Sequence, residues 1–115
     1  MRVVLRLLLR ISQDTEIVCE VSDGRESVDC VKRLQPDVLV MDIRMPGLDG
    51  YEATKQITDL SVPTRVILIS SYRGSSIISQ AVAAGAKGFI PKDELATSLL
   101  PAIEAVYRGE EFFVE

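Results

Sequence analysis

The chain has 115 residues, of which 13 are basic and 17 acidic, giving a formal net charge of −4. This length suits one domain, and an apolar content of 47% is inconsistent with a disordered chain. A mildly acidic chain is poorly suited to bind nucleic-acid phosphates by itself. The absence of histidine excludes histidine-ligated zinc, a Ser-His-Asp triad and phosphohistidine chemistry on this chain.

The N-terminal run MRVVLRLLLRI has some features of a targeting segment. Arg6 and Arg10 interrupt the run, no small-residue cleavage site follows, and the run is too short to span a bilayer. Cys19 and Cys30 are too few for a disulfide scaffold and lie in apolar-patterned segments. We therefore expect a cytoplasmic chain with two reduced core thiols and no contact with a membrane.

Strand-like and helix-like segments alternate along the chain. β-Branched or continuous apolar runs predict strands over residues 16–21, 37–41, 65–69 and 87–90. Apolar spacing, together with Pro and Gly as terminators, predicts helices between and after them, over a segment ending at Leu34 and over residues 51–60, 75–84 and 99–107. The resulting order, β-α-β-α-β-α-β-α, is typical of an α/β, doubly wound parallel sheet of the flavodoxin-like kind.

The last helix is predicted to begin late because of Pro101. Proline in a helix interior removes a hydrogen bond and clashes with the carbonyl four residues back, whereas the first turn tolerates it. Thr97 or Ser98 would then be the N-cap, and residues 94–96 would form a separate turn. The buried stripe of this helix would consist of Leu99, Ile103, Val106 and Tyr107.

Three polar residues follow three of the predicted strands. Asp42 comes after residues 37–41, Ser70 after residues 65–69, and Lys92 two residues after residues 87–90. Because ligands of open α/β sheets bind at the carboxyl ends of the strands, we expect this carboxylate, hydroxyl and ammonium to converge.

The residues around these positions resemble those of response-regulator receiver domains, most closely the NarL/LuxR-type regulators of two-component signalling. The resemblance covers residues 1–112 as one domain. It is carried by four blocks: MDIRMPGLDGYEAT (41–54), LISSY (68–72), AGAKGFIPKD (84–93) and AIEAVYRGEEF (102–112).

The resemblance implies a role for each matching residue. Asp42 would be the phosphoacceptor, Lys92 would pair with its carboxylate and then with the phosphoryl oxygens, and Ser70 would hydrogen-bond the phosphoryl group. Phe89 would be the aromatic switch residue, for which ordinary core packing is the alternative. Asp42 and the backbone carbonyl of Arg44 would be metal ligands in an incomplete Mg²⁺ site.

The chain departs from the receiver pattern at its N-terminus. A receiver opens with a strand that ends in an acidic pair, but here the second strand already begins near Ile17. Residues 1–18 line up best with the first helix onward, so the first strand would be absent. Alternatively, Val3–Leu5 is that strand and the following loop is deleted. Neither alternative supplies the acidic pair, so we expect weak Mg²⁺ binding or none.

The resemblance implies a signalling domain rather than an enzyme. Such a domain would accept a phosphoryl group and slowly hydrolyse it. Its expected partners are a histidine kinase, a second copy bound through residues 75–107, and DNA only through an output domain not in this chain. A pseudo-receiver that takes up no phosphate is the alternative. A flavodoxin-like nucleotide or flavin binder would need a phosphate-binding loop after the first strand, and the sequence has none.

Overall fold

The structure, a computed structural model, describes residues 24–44 and 48–115. Its helices are α1 (Gly24–Leu34), α2 (Gly50–Asp59), α3 (Ser75–Ala84) and α4 (Leu95–Tyr107). Its strands are β1 (Val38–Asp42), β2 (Arg65–Ser70), β3 (Gly88–Pro91) and β4 (Phe112–Phe113), and a 3₁₀ turn, Lys92–Glu94, connects β3 to α4. The predicted strand over residues 16–21 and the question of the first strand lie outside the described residues.

The four described strands form one parallel sheet in the order β1-β2-β3-β4. The predicted α/β, flavodoxin-like architecture is confirmed. Asp42 pairs with Ile69, and Ser70 with Pro91, so β1, β2 and β3 end at the same edge. This register brings the ends of three strands, and the polar residues there, to one side of the molecule.

The three longer strands are apolar between their ends because both faces of the sheet are covered. On one face, the first core packs sheet residues such as Leu68 and Phe89 against α1, α2 and α3. On the other face, the second core packs Ile67 and Ile90 against α4, including Leu99. Alternate residues of each strand enter different cores, as the period of two in a strand requires.

At the start of α2, the backbone of Gly50 lies close to the backbone at the end of β1. Asp49 caps α2 by accepting a hydrogen bond from the Glu52 amide at 2.8 Å. The Gly50 amide donates to the Ile43 carbonyl oxygen at 2.6 Å. A Cβ on Gly50 would lie 2.6 Å from the Asp42 carbonyl oxygen, so only glycine permits this approach. The start of α2 therefore packs directly on the residue that ends β1.

The last helix begins at Leu95, so the predicted late start is wrong. Pro101 lies inside α4 rather than in its first turn. Leu95 is buried in the second core, and this burial offsets the cost of an interior proline. A separate turn does precede the helix, but it is Lys92–Glu94 rather than residues 94–96. Leu99, Ile103 and Val106 are buried as predicted, whereas Tyr107 is 42% exposed.

The chain returns to the sheet after α4 in a strand that the sequence did not indicate. The Phe112 amide donates to the Lys87 carbonyl at 3.0 Å, and the Val114 amide donates to the Phe89 carbonyl at 3.0 Å. These bonds make β4 a parallel neighbour of β3.

Cys30 is buried in α1 and is disulfide-bonded, so the predicted reduced thiol is wrong for this residue. An apolar environment suits a half-cystine as well as a free thiol, which is why hydropathy patterning did not separate the two. Cys19, the other cysteine of the chain, lies outside the described residues. No helix in the described part of the chain is long and apolar enough to cross a membrane.

Replacing Gly50 with alanine tests the close approach of α2 to β1. At an unobstructed helical position, Gly→Ala stabilises a protein by about 0.4–1 kcal/mol. At Gly50 the new methyl group overlaps two backbone atoms, so we expect a loss of about 1–3 kcal/mol in the free energy of unfolding. Urea denaturation of Gly50→Ala measures the change, and unchanged or increased stability would show that the contact is not restrictive.

Candidate functional site

A carboxylate and an ammonium meet at the carboxyl edge of the sheet. Lys92 Nζ lies 2.5 Å from Asp42 Oδ1, and the two side chains are 29% and 25% exposed. The structure thus brings together two of the three residues selected from the sequence in a direct ion pair. Partial burial lowers the effective dielectric between them, so this pair is screened less than one on the open surface.

Local backbone geometry explains how Lys92 reaches Asp42. Pro91 is the last residue of β3 and has a φ of −63°, the value that its ring imposes. The chain then enters the 3₁₀ turn, of which Lys92 is the first residue. Asp42 is the last residue of β1, one residue later than the sequence predicted for that strand. Both side chains therefore extend from the ends of regular elements.

Ser70 ends the strand between them. It is buried, and its Oγ accepts a hydrogen bond from the Tyr72 amide at 3.0 Å. This bond orients the hydroxyl oxygen toward its own loop. Ser70 shares with Asp42 and Lys92 a cavity of about 270 Å³, so the third selected residue borders the same space.

The cavity has a lining of mixed charge. Its six residues are Asp42, Arg44, Ser70, Ser71, Tyr72 and Lys92. Among them are two cations and a single carboxylate, so the lining is positive overall and suits an anionic group beside the ion pair. This high proportion of charged residues distinguishes the lining from that of a typical ligand pocket, which is mostly apolar.

Sequence reasoning did not select the side chains of Arg44 and Tyr72. The Arg44 guanidinium carbon lies 5.2 Å from the centre of the Tyr72 ring, within the range of a cation–π contact. Both residues border the cavity, and Tyr72 is 59% exposed. Each lies two residues after a selected residue, Asp42 or Ser70, and this spacing is the signal that the sequence offered.

Phe89 does not border the cavity. Its side chain is fully buried in the first core, between the sheet and the helices on that face. This location agrees with ordinary core packing, the alternative that the sequence left open. Its role as a switch residue remains a prediction.

A second ionic contact, which the sequence did not indicate, lies next to the site. Arg73 Nη2 lies 3.0 Å from Asp93 Oδ1 and also contacts Glu94 Oε2. The hydrogen bond that Arg73 donates to Glu94 raises the pKa of the guanidinium above its ordinary value, and the charge of Asp93 acts in the same direction. Arg73 thereby joins the loop after Ser70 to the turn that contains Lys92.

Comparison with known proteins identifies the family. Residues 1–104 match the family model of the response regulator receiver domain. The transcriptional regulatory protein LiaR of Bacillus subtilis is 38% identical over 110 residues, which cover 95% of this chain and 52% of LiaR. The transcriptional regulatory protein DesR of the same organism is 35% identical over 106 residues, or 92% of this chain and 52% of DesR.

Solved structures give the same result. A two-component response regulator of the LuxR family from an Aurantimonas species superposes with a TM-score of 0.87 at 30% identity, covering 94% of this chain and 77% of that one. The signal receiver domain of NarL from Mycobacterium tuberculosis gives a TM-score of 0.84 at 36% identity, covering 93% and 86%.

The chain therefore belongs to the response regulator receiver domain family. Within that family it is a receiver domain of the NarL type found in transcriptional response regulators, as the four sequence blocks indicated. The chain spans about half the length of the curated relatives that it matches.

Receiver domains typically bind Mg²⁺. Mg²⁺ demands near-octahedral oxygen coordination. Among the six cavity residues Asp42 supplies the single carboxylate, and that group is already paired with Lys92. Across residues 24–44 and 48–115, no group of three or more potential metal-ligating side chains occurs. The described residues alone do not fit a Mg²⁺ site.

Proposed function

We propose that this chain is a phosphorylation-controlled receiver domain in which Asp42 accepts a phosphoryl group from a histidine kinase. The observation that carries the proposal is the 2.5 Å contact between Lys92 Nζ and Asp42 Oδ1 at the edge of a positively charged cavity. A carboxylate that is held beside an ammonium and keeps 25% of its side chain exposed is accessible to an anionic phosphodonor. We also propose that residues 1–115 form one receiver domain.

The reaction is an attack by a carboxylate oxygen of Asp42 on the phosphorus of a phosphohistidine. A P–O bond forms and an acyl phosphate results, while the P–N bond breaks and its electron pair stays on the imidazole nitrogen. Because the donor and acceptor are both anionic as they approach, cations at the site lower the barrier. Lys92 supplies one of them at Oδ1. Slow hydrolysis of the acyl phosphate would restore the carboxylate.

Ser70 and Lys92 have complementary roles in this proposal. The Ser70 hydroxyl oxygen accepts from the Tyr72 amide, so its own hydrogen can be donated to a phosphoryl oxygen in the cavity. Lys92 carries three donors at the end of a four-carbon side chain from the 3₁₀ turn, so it can contact Asp42 and a phosphoryl oxygen together. The hydroxyl and the ammonium would thus share the charge of the transferred group.

Substituting Asp42 by asparagine separates a receiver from a pseudo-receiver. Asparagine keeps the side-chain shape and removes the nucleophile, so we expect wild-type protein to gain one phosphoryl mass with acetyl phosphate and Mg²⁺, and Asp42→Asn to gain none. Intact-protein mass spectrometry gives the readout. Asp59→Asn, at the exposed end of α2, is the matched control and should behave like wild type.

Uptake by Asp42→Asn would assign the phosphoacceptor to another residue. No uptake by either protein would instead favour the pseudo-receiver, a module that binds partners without phosphate.

We predict that the chain binds Mg²⁺ weakly. With one carboxylate among the described cavity residues, we expect a dissociation constant no tighter than about 1 mM. Calorimetric titration of the wild-type chain with Mg²⁺ measures it. Binding well below millimolar would show that further ligands come from residues outside those described.

We further propose that phosphorylation controls association of two copies through residues 75–107, and that in the whole protein it controls an output domain that regulates transcription. Two exposed apolar side chains in that range support the surface: Val82 on α3 is 52% exposed and Tyr107 on α4 is 42% exposed. Because α3 and α4 cover opposite faces of the sheet, each side chain gives the part of the surface on its own helix an apolar component outside the core.

A charge at Ala83, an exposed residue of α3 beside Val82, is expected to prevent that association because a carboxylate there would have to be desolvated. Analytical sedimentation of the phosphorylated wild-type and Ala83→Asp chains measures this association. Gln56→Asp, at an exposed position of α2, is the control. If both variants self-associate as strongly as wild type, the proposed surface is wrong.

A further inference from the structure

Two separate loops carry the residues around Asp42. Ser70 leads into residues 71–74 before α3, and Lys92 opens the 3₁₀ turn Lys92–Glu94 before α4. Neither α3 nor the 3₁₀ turn has a side-chain cap at its start. Gly74 precedes α3 and Pro91 precedes the turn, and neither residue makes a capping hydrogen bond through its side chain. Pairing of Ser70 with Pro91 fixes where the two loops leave the sheet, and contacts between the loops help to set their relative placement beyond that pair.

Arg73 makes such a contact. A single guanidinium nitrogen, Nη2, bonds both acidic residues that follow Lys92: Asp93 at 3.0 Å and Glu94. The contact joins residues that are 20 and 21 positions apart in sequence. On the Ser70 side, the anchor is one residue away, where the Tyr72 amide donates to Ser70 Oγ. A short covalent and hydrogen-bonded path thus links the hydroxyl to the lysine turn.

The stability that this contact provides is small. The three side chains are 45%, 76% and 36% exposed, and exposed ion pairs typically change an equilibrium by only about 1.4- to fivefold. An interaction of that size does little for a fold whose cores are fully buried. It is large enough to affect the geometry of two loops at a reacting centre, where small displacements change rates.

We propose that Arg73 is a positioning residue that ties the Ser70 loop to the Lys92 turn, so that hydroxyl and ammonium converge on Asp42 as one unit. The inference rests on the proposed phosphoacceptor function. It concerns side chains outside the cavity lining, since neither Arg73 nor its two carboxylate partners borders that space.

Arg73 also carries a positive charge near an anionic reaction, and the sign of each mutant effect separates the two explanations. If Arg73 only attracts the phosphodonor, removing its charge slows phosphorylation, whereas removing the negative charge of Glu94 accelerates it. If Arg73 acts through its contacts, Arg73→Gln and Glu94→Gln both slow phosphorylation, because each breaks the same tie.

The experiment measures phosphorylation rates with acetyl phosphate for the full chain, the two single variants and their double variant. We expect each single variant to be about two- to fivefold slower, and the double variant to be no slower than the slower single, since contacting residues are not additive. Arg73→Lys should restore most of the rate, because one nitrogen makes both contacts. Arg108→Gln removes an arginine that follows the C-terminal end of α4 and pairs with Glu110, and it should match wild type.

A second measurement does not depend on phosphorylation. Hydrogen exchange of residues 92–95 in the unmodified protein should be faster in Arg73→Gln and Glu94→Gln than in Arg108→Gln. If wild type takes up no phosphoryl group, the proposed function fails, and exchange alone decides whether Arg73 holds the turn. Acceleration by Glu94→Gln, additive rate effects, or exchange equal to that of Arg108→Gln would each overturn the positioning role.

Discussion

Lys92 and Asp42 are held 2.5 Å apart at the carboxyl edge of a parallel sheet, and most features of the candidate site follow from that contact. An ion pair with both partners about three-quarters buried is favourable only when the backbone fixes its geometry, because each charge loses water on approaching the other. Here one partner ends a strand and the other opens a turn that proline leads into. Neither group relies on a long flexible loop for its position.

The scaffold constrains the same edge from three directions. Parallel pairing brings the ends of β1, β2 and β3 into line, and the helices cover both faces, so the edge remains the accessible part of the strands. Gly50 lets α2 approach the backbone of Asp42 from one side. Arg73 joins the loop and the turn on the other side. A receiver built this way can present a carboxylate, a hydroxyl and an ammonium to a partner without assembling them at the moment of reaction.

Sequence periodicity predicted β1, β2 and β3, the bounds of α3 and the end of α1, because apolar runs and Gly or Pro terminators are local signals. It failed for α4, which begins before Pro101 and buries Leu95, and for β4, whose two residues are too few to show a period. The positions of Asp42, Ser70 and Lys92 followed from strand ends alone. The contacts of Arg73 and of Arg44 with Tyr72 did not, because they depend on how separate loops meet.

The central claim, that Asp42 is the residue that carries the phosphoryl group, is tested most directly by locating the modification itself. Borohydride reduces an acyl phosphate of aspartate to homoserine, and peptide mass spectrometry identifies the reduced position after treatment of the wild-type chain with a phosphodonor. We predict homoserine at position 42 and at no other aspartate. Homoserine at a different position, with Asp42 unchanged, would contradict the assignment.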